Sequence, residues 1–436
     1  MASDLVKDVM EDIRSPLYRN AIYLILNTLM AAGAGFVFWL LVARVSGSPE
    51  AVGQALLLVG VLALLATVSQ LGFGIGLIRF LPGSRGEGRG RMMNSALTVS
   101  VLVAVGLAFL VLLTMDLWFP QGADVLSLVA LVPIFLLLAV FGTSAPIVDN
   151  SFVAGRKASY VVMRSSLYQA VRLATPLLLI GLLGVLGVLA SLMVAHVLAL
   201  AVAFFLLLPR LYPGFRLMPV VDKGALGDML HFSLGNHVAE IFHVLPYPVI
   251  LVIVTRLTGS LEQAAFFGVP WLIASLLFAV PLMASVSLYA EGSHFADRLR
   301  GDLRRTLRFV LPVLVAGIAF VWFFGAWVLS LFGPAYPAEG VQLLRVLAIS
   351  GIFVTVNGLF IAVARVMKWV KAVIALWAYV ATGTIALSYL LLPVYGLVGV
   401  GYAWLLTNGT AALAVMGAYL LKRGTLRALL TATPKG

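Results

Sequence analysis

Apolar runs about 20 to 28 residues long alternate with short polar breaks along nearly the whole of this chain, and each run is long enough to cross roughly 30 Å of hydrocarbon with some tilt. The pattern predicts twelve membrane-spanning helices. Six lie near 19–43, 52–78, 92–115, 124–148, 159–183 and 185–208. Six more lie near 229–255, 264–290, 307–332, 341–364, 370–392 and 396–421. Ahead of the first, Leu5, Val6, Val9, Met10 and Ile13 share one helical face and Asp4, Lys7, Asp8, Glu11 and Asp12 the other, which predicts a short interfacial helix over 4–14. The fold class expected is therefore an all-α polytopic membrane protein.

Basic residues orient the map. If the N-terminus is cytoplasmic, 25 of the 29 Lys and Arg residues fall in segments on that same side. The four that do not are Arg44, Arg172, Arg256 and Arg345. Both termini are expected in the cytoplasm, the protein is expected to be multi-pass in the cell membrane, and the basic loops are expected against anionic lipid.

Short motifs recur 212 residues apart. A-R-V-S-G-S-P-E at 43–50 answers T-R-L-T-G-S-L-E at 255–262, and the loops A-G-R-K at 154–157 and V-M-K-W at 366–369 coincide at the same interval. Each half holds an even number of spans, so both enter the membrane from the same side as parallel repeats. The domains expected are an N-terminal six-helix bundle over 1–208, a cytoplasmic connector over 209–228 with Pro209, Pro213 and Pro219, a second bundle over 229–421, and a basic tail over 422–436.

Composition narrows the function. Hydrophobic residues make up 62% and charged residues 11%, outside the range of soluble domains. The net charge of +12 sits in short loops on one side, so it reports topology and lipid contact, and no nucleic-acid partner is expected. There are no cysteines, hence no disulfide framework or thiol metal site. No cleavable signal peptide is expected, because the first residues are mixed in charge and the first span is too long. The glycine-rich L-G-F-G-I-G at 71–76 lies inside an apolar run with no following Lys, so it reads as close helix packing and not as a phosphate loop.

Several stretches carry a family resemblance. R-N-A-I-Y-L-I-L-N at 19–27, L-L-V-A-R at 40–44, A-V-G-Q-A at 51–55 and L-G-F-G-I-G-L-I-R-F-L-P at 71–82 are followed by F-V-A-G-R-K at 152–157, F-G-P-A-Y at 332–336 and G-L-V-G-V-G-Y-A-W at 396–404. Together they resemble the oligosaccharide-flippase, Wzx-like polysaccharide biosynthesis branch of the MATE-like MOP superfamily. The resemblance implies two pseudo-symmetric six-helix bundles around a central cavity. It also implies transport, by alternating access, of a polyprenyl-phosphate- or pyrophosphate-linked oligosaccharide from the cytoplasmic to the outer leaflet. Asn20 and Asn27 in the first span resemble polar residues lining that family's cavity, with a hydrogen-bonded helix contact as the other reading.

Ionisable groups inside the spans are costly and few, so each is a candidate. Arg172 lies about fourteen residues into the fifth span, with Arg164 and Tyr168 on the same drifting face. These three predict a cationic stripe able to hold a phosphate. Snorkelling is the alternative for Arg164, and a structural pair with Glu240 the alternative for Arg172. Asn236, Glu240 and His243 share a face of the seventh span, with His237 beside them and Pro246 and Pro248 expected to kink the helix beyond. Glu240 and His243 could couple proton movement to transport or could simply join helices. Arg79 and Glu291 could close the cytoplasmic mouth, or be solvated. Asn357 is a further cavity candidate, while Asp149 and Asn150 could cap or gate.

A monomeric flippase with no catalytic residue, metal or organic cofactor is expected, with H+ or Na+ coupling left open. The alternatives are a drug or cation exporter of the same superfamily and an integral-membrane glycan-handling enzyme. The exporter would want more buried carboxylates, and the enzyme clustered acids or a large outer loop. No P-loop marks an ATP-driven pump.

Overall fold

The computed structural model describes residues 16–119, 125–294 and 299–421. The interfacial helix expected at 4–14 and the basic tail at 422–436 lie outside the described residues, as does the side chain of Glu291.

Helices account for almost everything described. They are α1 (Pro16–Ser46), α2 (Pro49–Ser69), α3 (Phe73–Phe80), α4 (Glu87–Leu113), α5 (Val125–Ala154), α6 (Ala158–Ala174), α7 (Pro176–Leu183) and α8 (Val185–Val202). There follow α9 (Lys223–Val244), α10 (Pro246–Thr258), α11 (Leu261–His294), α12 (Leu299–Ser330), α13 (Tyr336–Val366), α14 (Val370–Tyr395) and α15 (Leu397–Leu421). Eleven spans are long and apolar enough to cross a membrane, and the pair α6–α7, bent by 48°, makes a twelfth. The chain is a multi-pass membrane protein, because only helices that satisfy their own backbone survive in hydrocarbon.

Two predicted spans are broken where the sequence was read as continuous. The second, expected over 52–78, stops at Ser69 and restarts at Phe73. Leu71 and Gly72 take φ of 50° and 76°, the Leu71 N–H donates to the Val68 carbonyl at 3.3 Å, and the Nε2 of His237 lies 3.3 Å from that same oxygen. The fifth, expected over 159–183, bends at Thr175, where Pro176 supplies no N–H to the preceding turn. The break expected near Pro246 and Pro248 appears only as the single residue Leu245 between α9 and α10, which keeps right-handed helical angles, and Lys223–Thr258 serves as one span.

The glycine-rich stretch is explained by what surrounds it. A Cβ on Gly76 would stand 2.7 Å from Cβ of Met229, and one on Gly74 would collide with the Asn150 amide. Close approach of backbones, not hydrophobic drive, is how helices associate in lipid.

The chain forms two compact units. One takes in residues up to Ser46 and Leu58–His237, the other Gly47–Leu57 and residues from Val238 on. The core of the first gathers Phe73, Leu77, Met93, Leu97, Ile147, Phe152, Leu200 and Leu207 around α3. In the second, α13 is central and packs on α11, α12 and α15.

The backbone repeats itself locally at the 212-residue interval. Gly47 and Gly259 take φ of 63° and 66°, Arg156 and Lys368 of 55° and 58°, and Gly184 and Gly396 of 56° and 60°. The bonds repeat too. Lys157 N–H donates to Phe152 O at 2.9 Å and Trp369 N–H to Ala364 O at 2.7 Å. Gly187 N–H donates to Gly184 O at 3.0 Å and Gly399 N–H to Gly396 O at 2.9 Å. A Cβ on Gly187 would strike the Leu179 carbonyl, and one on Gly399 the Leu391 carbonyl. Arginine and lysine hold the left-handed conformation at the first matched turn although it costs a non-glycine residue about 1–2 kcal/mol.

Candidate functional site

Two helical hairpins bring charge into the first unit. α5 and α6 run antiparallel about the Arg156 turn. Residues equally far from such a turn lie at equal height, and Asp149 and Arg164 are seven and eight residues from it. They meet as a two-pronged ion pair: Arg164 Nε donates to Asp149 Oδ1 at 2.6 Å and Nη2 to Oδ2 at 2.7 Å. The side chains are 8% and 21% exposed, so the pair is largely withdrawn from water. Asn20 of α1 fastens the same turn, donating to Arg156 O and accepting from Ala158 N–H, both at 3.1 Å.

The second hairpin runs from α6–α7 into α8 about Gly184. Arg172 and His196 each stand twelve residues from that glycine, hence at one height. The Arg172 guanidinium lies 4.9 Å from the Phe38 ring centre and 5.5 Å from that of Tyr168. Such stacking holds the cation without neutralising it. Its Nε is buried and meets no hydrogen-bond acceptor among the described residues. The ring of His196 lies 4.4 Å from the Tyr168 ring, and its Nδ1 is likewise buried without a partner among the described residues.

These groups line one cavity of about 460 Å³, walled by Phe38 and Trp39 of α1, by Asp149 and Asn150, and by Arg164, Tyr168, Arg172 and His196. Its volume falls in the usual range of ligand pockets. Because Asp149 neutralises Arg164, the cavity presents the net charge of Arg172. All three residues of the expected stripe line this cavity, with Arg164 bound to the Asp149 carboxylate and Arg172 without such a partner among the described residues.

Other candidates lie elsewhere. Asn20 is committed to the Arg156 turn. Asn27 is part-buried in α1, its Oδ1 without a partner. His237 serves the α2–α3 break, Asn236 is partly buried beside it in α9, and Arg79 lies over the Phe232 ring at 5.9 Å. In the second unit Glu240 is half exposed, with its Oε1 3.6 Å from His243 Nδ1, and the His243 ring lies 4.2 Å from Trp377. Asn357 is 3% exposed and donates to the Asn408 carbonyl and side-chain oxygens, both at 3.2 Å, so it joins α13 to α15. Among the described residues no three His, Asp or Glu side chains converge as a metal site would require.

Sequence reasoning missed His196, and had placed Asp149 only as a cap or gate. A lone ionisable group in an otherwise apolar span was the available signal for His196.

The 212-residue interval sharpens the site. Val59 and Leu192 of the cavity wall correspond to Trp271 and Trp404 in the second unit, whose rings meet at 4.9 Å. Arg172 corresponds to Thr384 and His196 to Asn408, which donates to Trp404 O at 3.0 Å. The fold therefore does not require an open, charged pocket at this place, and the first unit alone keeps these residues.

Fold and pocket together define a helical multi-pass membrane protein with a charged cavity inside one of its units. The backbone matches an inward-facing multidrug-resistance MATE family transporter of the MOP superfamily with a TM-score of 0.75 at 16% identity, over 97% of this chain and 100% of that one. An outward-facing structure of such a transporter matches with a TM-score of 0.71 at 17% identity, over 97% and 98%. At these identities the likeness is one of fold. No curated protein sequence matches the chain significantly. The model of the polysaccharide biosynthesis protein family matches residues 17–289, and the chain belongs to that family.

Proposed function

We propose that this protein is a flippase that carries a polyprenyl-phosphate- or pyrophosphate-linked oligosaccharide from the cytoplasmic to the outer leaflet of the cell membrane, with both termini cytoplasmic. Membership of the polysaccharide biosynthesis family supports the saccharide, and the MATE-like fold supports transport by alternating access. Arg172 is the observation that carries the reading. Its guanidinium stands in a membrane-embedded cavity with aromatic faces beside it and no carboxylate or carbonyl bonded to it among the described residues. A desolvated cation of this kind is costly without a counter-charge, and a phosphoryl group passing through supplies one. A cation exporter would meet repulsion at the same place.

The test is flipping of a lipid-linked oligosaccharide in proteoliposomes. Arg172→Ala should abolish it. Arg172→Lys should restore only part, because a point ammonium cannot make a planar two-pronged contact. A fully active Arg172→Ala protein would remove the residue from the mechanism. Full activity in the double variant Arg172→Ala, Glu240→Ala, with Arg172→Ala alone inactive, would make Arg172 a counter-charge and not a headgroup ligand.

A further inference from the structure

Building on the headgroup reading above, we infer that His196 is the second arm of an oxyanion seat, and that one phosphoryl group sits between its imidazole and the Arg172 guanidinium at the rim of Tyr168.

The two groups are placed as a pair. They stand at one height on either side of the Gly184 turn, and both rest on Tyr168, the imidazole at 4.4 Å and the guanidinium at 5.5 Å. Phe38 backs the guanidinium at 4.9 Å. The imidazole is tilted 44° to the Tyr168 ring, and a shared aromatic support holds both groups in place before a ligand arrives, a preorganised arrangement.

Both groups lack an acceptor. The Nδ1 of His196 and the Nε of Arg172 are buried with no hydrogen-bond partner among the described residues. Buried polar nitrogens are nearly always satisfied, so two orphans lining one cavity point to a ligand that satisfies them. Asp149 could have served, but both its oxygens are taken by Arg164 at 2.6 and 2.7 Å. In the second unit the residue at the matched place, Asn408, donates to Trp404 O at 3.0 Å and accepts from Asn357 at 3.2 Å. A polar side chain there can be tied up within the fold, and His196 is not.

The ligand class follows from the donors. A phosphoryl group offers several acceptor oxygens around one centre, able to bridge a guanidinium and an imidazole, and its charge is opposite to that of Arg172. The titratable or charged groups facing His196 are Arg164, Tyr168 and Arg172 from α6 and Asp149 from α5. The walls from α1 and α2 contribute Phe38, Trp39, Val59 and Leu62, none of which titrates. Neutral imidazole still carries one N–H, which is enough to donate to such an anion.

The experiment measures binding of inorganic pyrophosphate and of geranylgeranyl pyrophosphate to the purified full chain in detergent, by calorimetry. His196→Phe keeps a ring against Tyr168 but removes both nitrogens, and should weaken both probes roughly tenfold or more. His196→Gln keeps a donor and should retain most of the affinity. Wild-type affinity in His196→Phe would overturn the proposal. Should that variant fail to purify as a monodisperse protein, His196→Leu is measured in its place, and wild-type affinity there overturns it. Arg172→Ala separates the two readings. If it loses binding while His196→Phe does not, the headgroup reading stands and the role of His196 falls. If both variants bind like wild type, the headgroup reading falls as well.

Discussion

The Asp149–Arg164 pair offers a quantitative test of which cation in the cavity is free. Replace Arg164 by Met, which fills similar space without charge, and Asp149 by Leu, singly and together. Each single change strands a charge whose two hydrogen bonds, at 2.6 and 2.7 Å, had been its counterpart. Breaking a buried pair from one side costs about 3–5 kcal/mol, while replacing both partners is often neutral. The Asp149 side chain is 21% exposed, on the cavity side, which puts the cost of stranding it at the lower end, near about 3 kcal/mol. For a unit of this size that corresponds to roughly 6–12 °C in melting temperature. The double variant should melt close to wild type. The assay is thermal unfolding by intrinsic fluorescence in detergent, with monodispersity checked for each protein. Singles that melt within about 1 °C of wild type, or a double variant that loses the sum of the two single losses, would refute the buried-pair reasoning. Flipping measured on the same proteins adds a second reading. A stable double variant that still flips the lipid-linked oligosaccharide would show that Arg164 is structural. A stable but inactive one would return it to the headgroup site.

Two further expectations concern orientation and coupling. Cysteines placed at Ser48 and Ser260 in this cysteine-free chain should react with an impermeant maleimide added to intact cells, and one at Ser84 should not; the reverse pattern would overturn the topology. Glu240→Gln should abolish the response of flipping to an imposed pH gradient while leaving pyrophosphate binding intact, and an unchanged response would leave Glu240 as a structural neighbour of His243.

Much of the architecture could be read from residues because hydrocarbon thickness dictates it. A span needs about 20 apolar residues, and no other spacing of charges gives so consistent a sidedness. The breaks were harder. Pro176 and Gly72 sit inside apolar runs that look continuous to a hydropathy count, and whether a helix bends there depends on neighbours that absorb the freed backbone groups, such as His237 at the Val68 carbonyl. The charged site was half legible. Arg172 stood out by depth alone, but Arg164 gave no sign of being spent, because its partner lies on another helix. Height along a hairpin was the missing step: Asp149 and Arg164 straddle Arg156, and Arg172 and His196 straddle Gly184, at nearly equal separations. Asn357 was legible only as a polar residue. A polar residue in an apolar span reads the same whether it faces a cavity or a neighbouring helix, and here it meets Asn408.

The tryptophans that occupy the matched place in the second unit have a consequence for stoichiometry. A twofold internal repeat would ordinarily offer two equivalent sites, with the prospect of one ligand influencing the other. Trp271 and Trp404 stand at the interval-matched positions of Val59 and Leu192, and Thr384 and Asn408 at those of Arg172 and His196. An anion drawn to the charged cavity would meet no cation at these matched positions, so occupancy should follow a simple hyperbola.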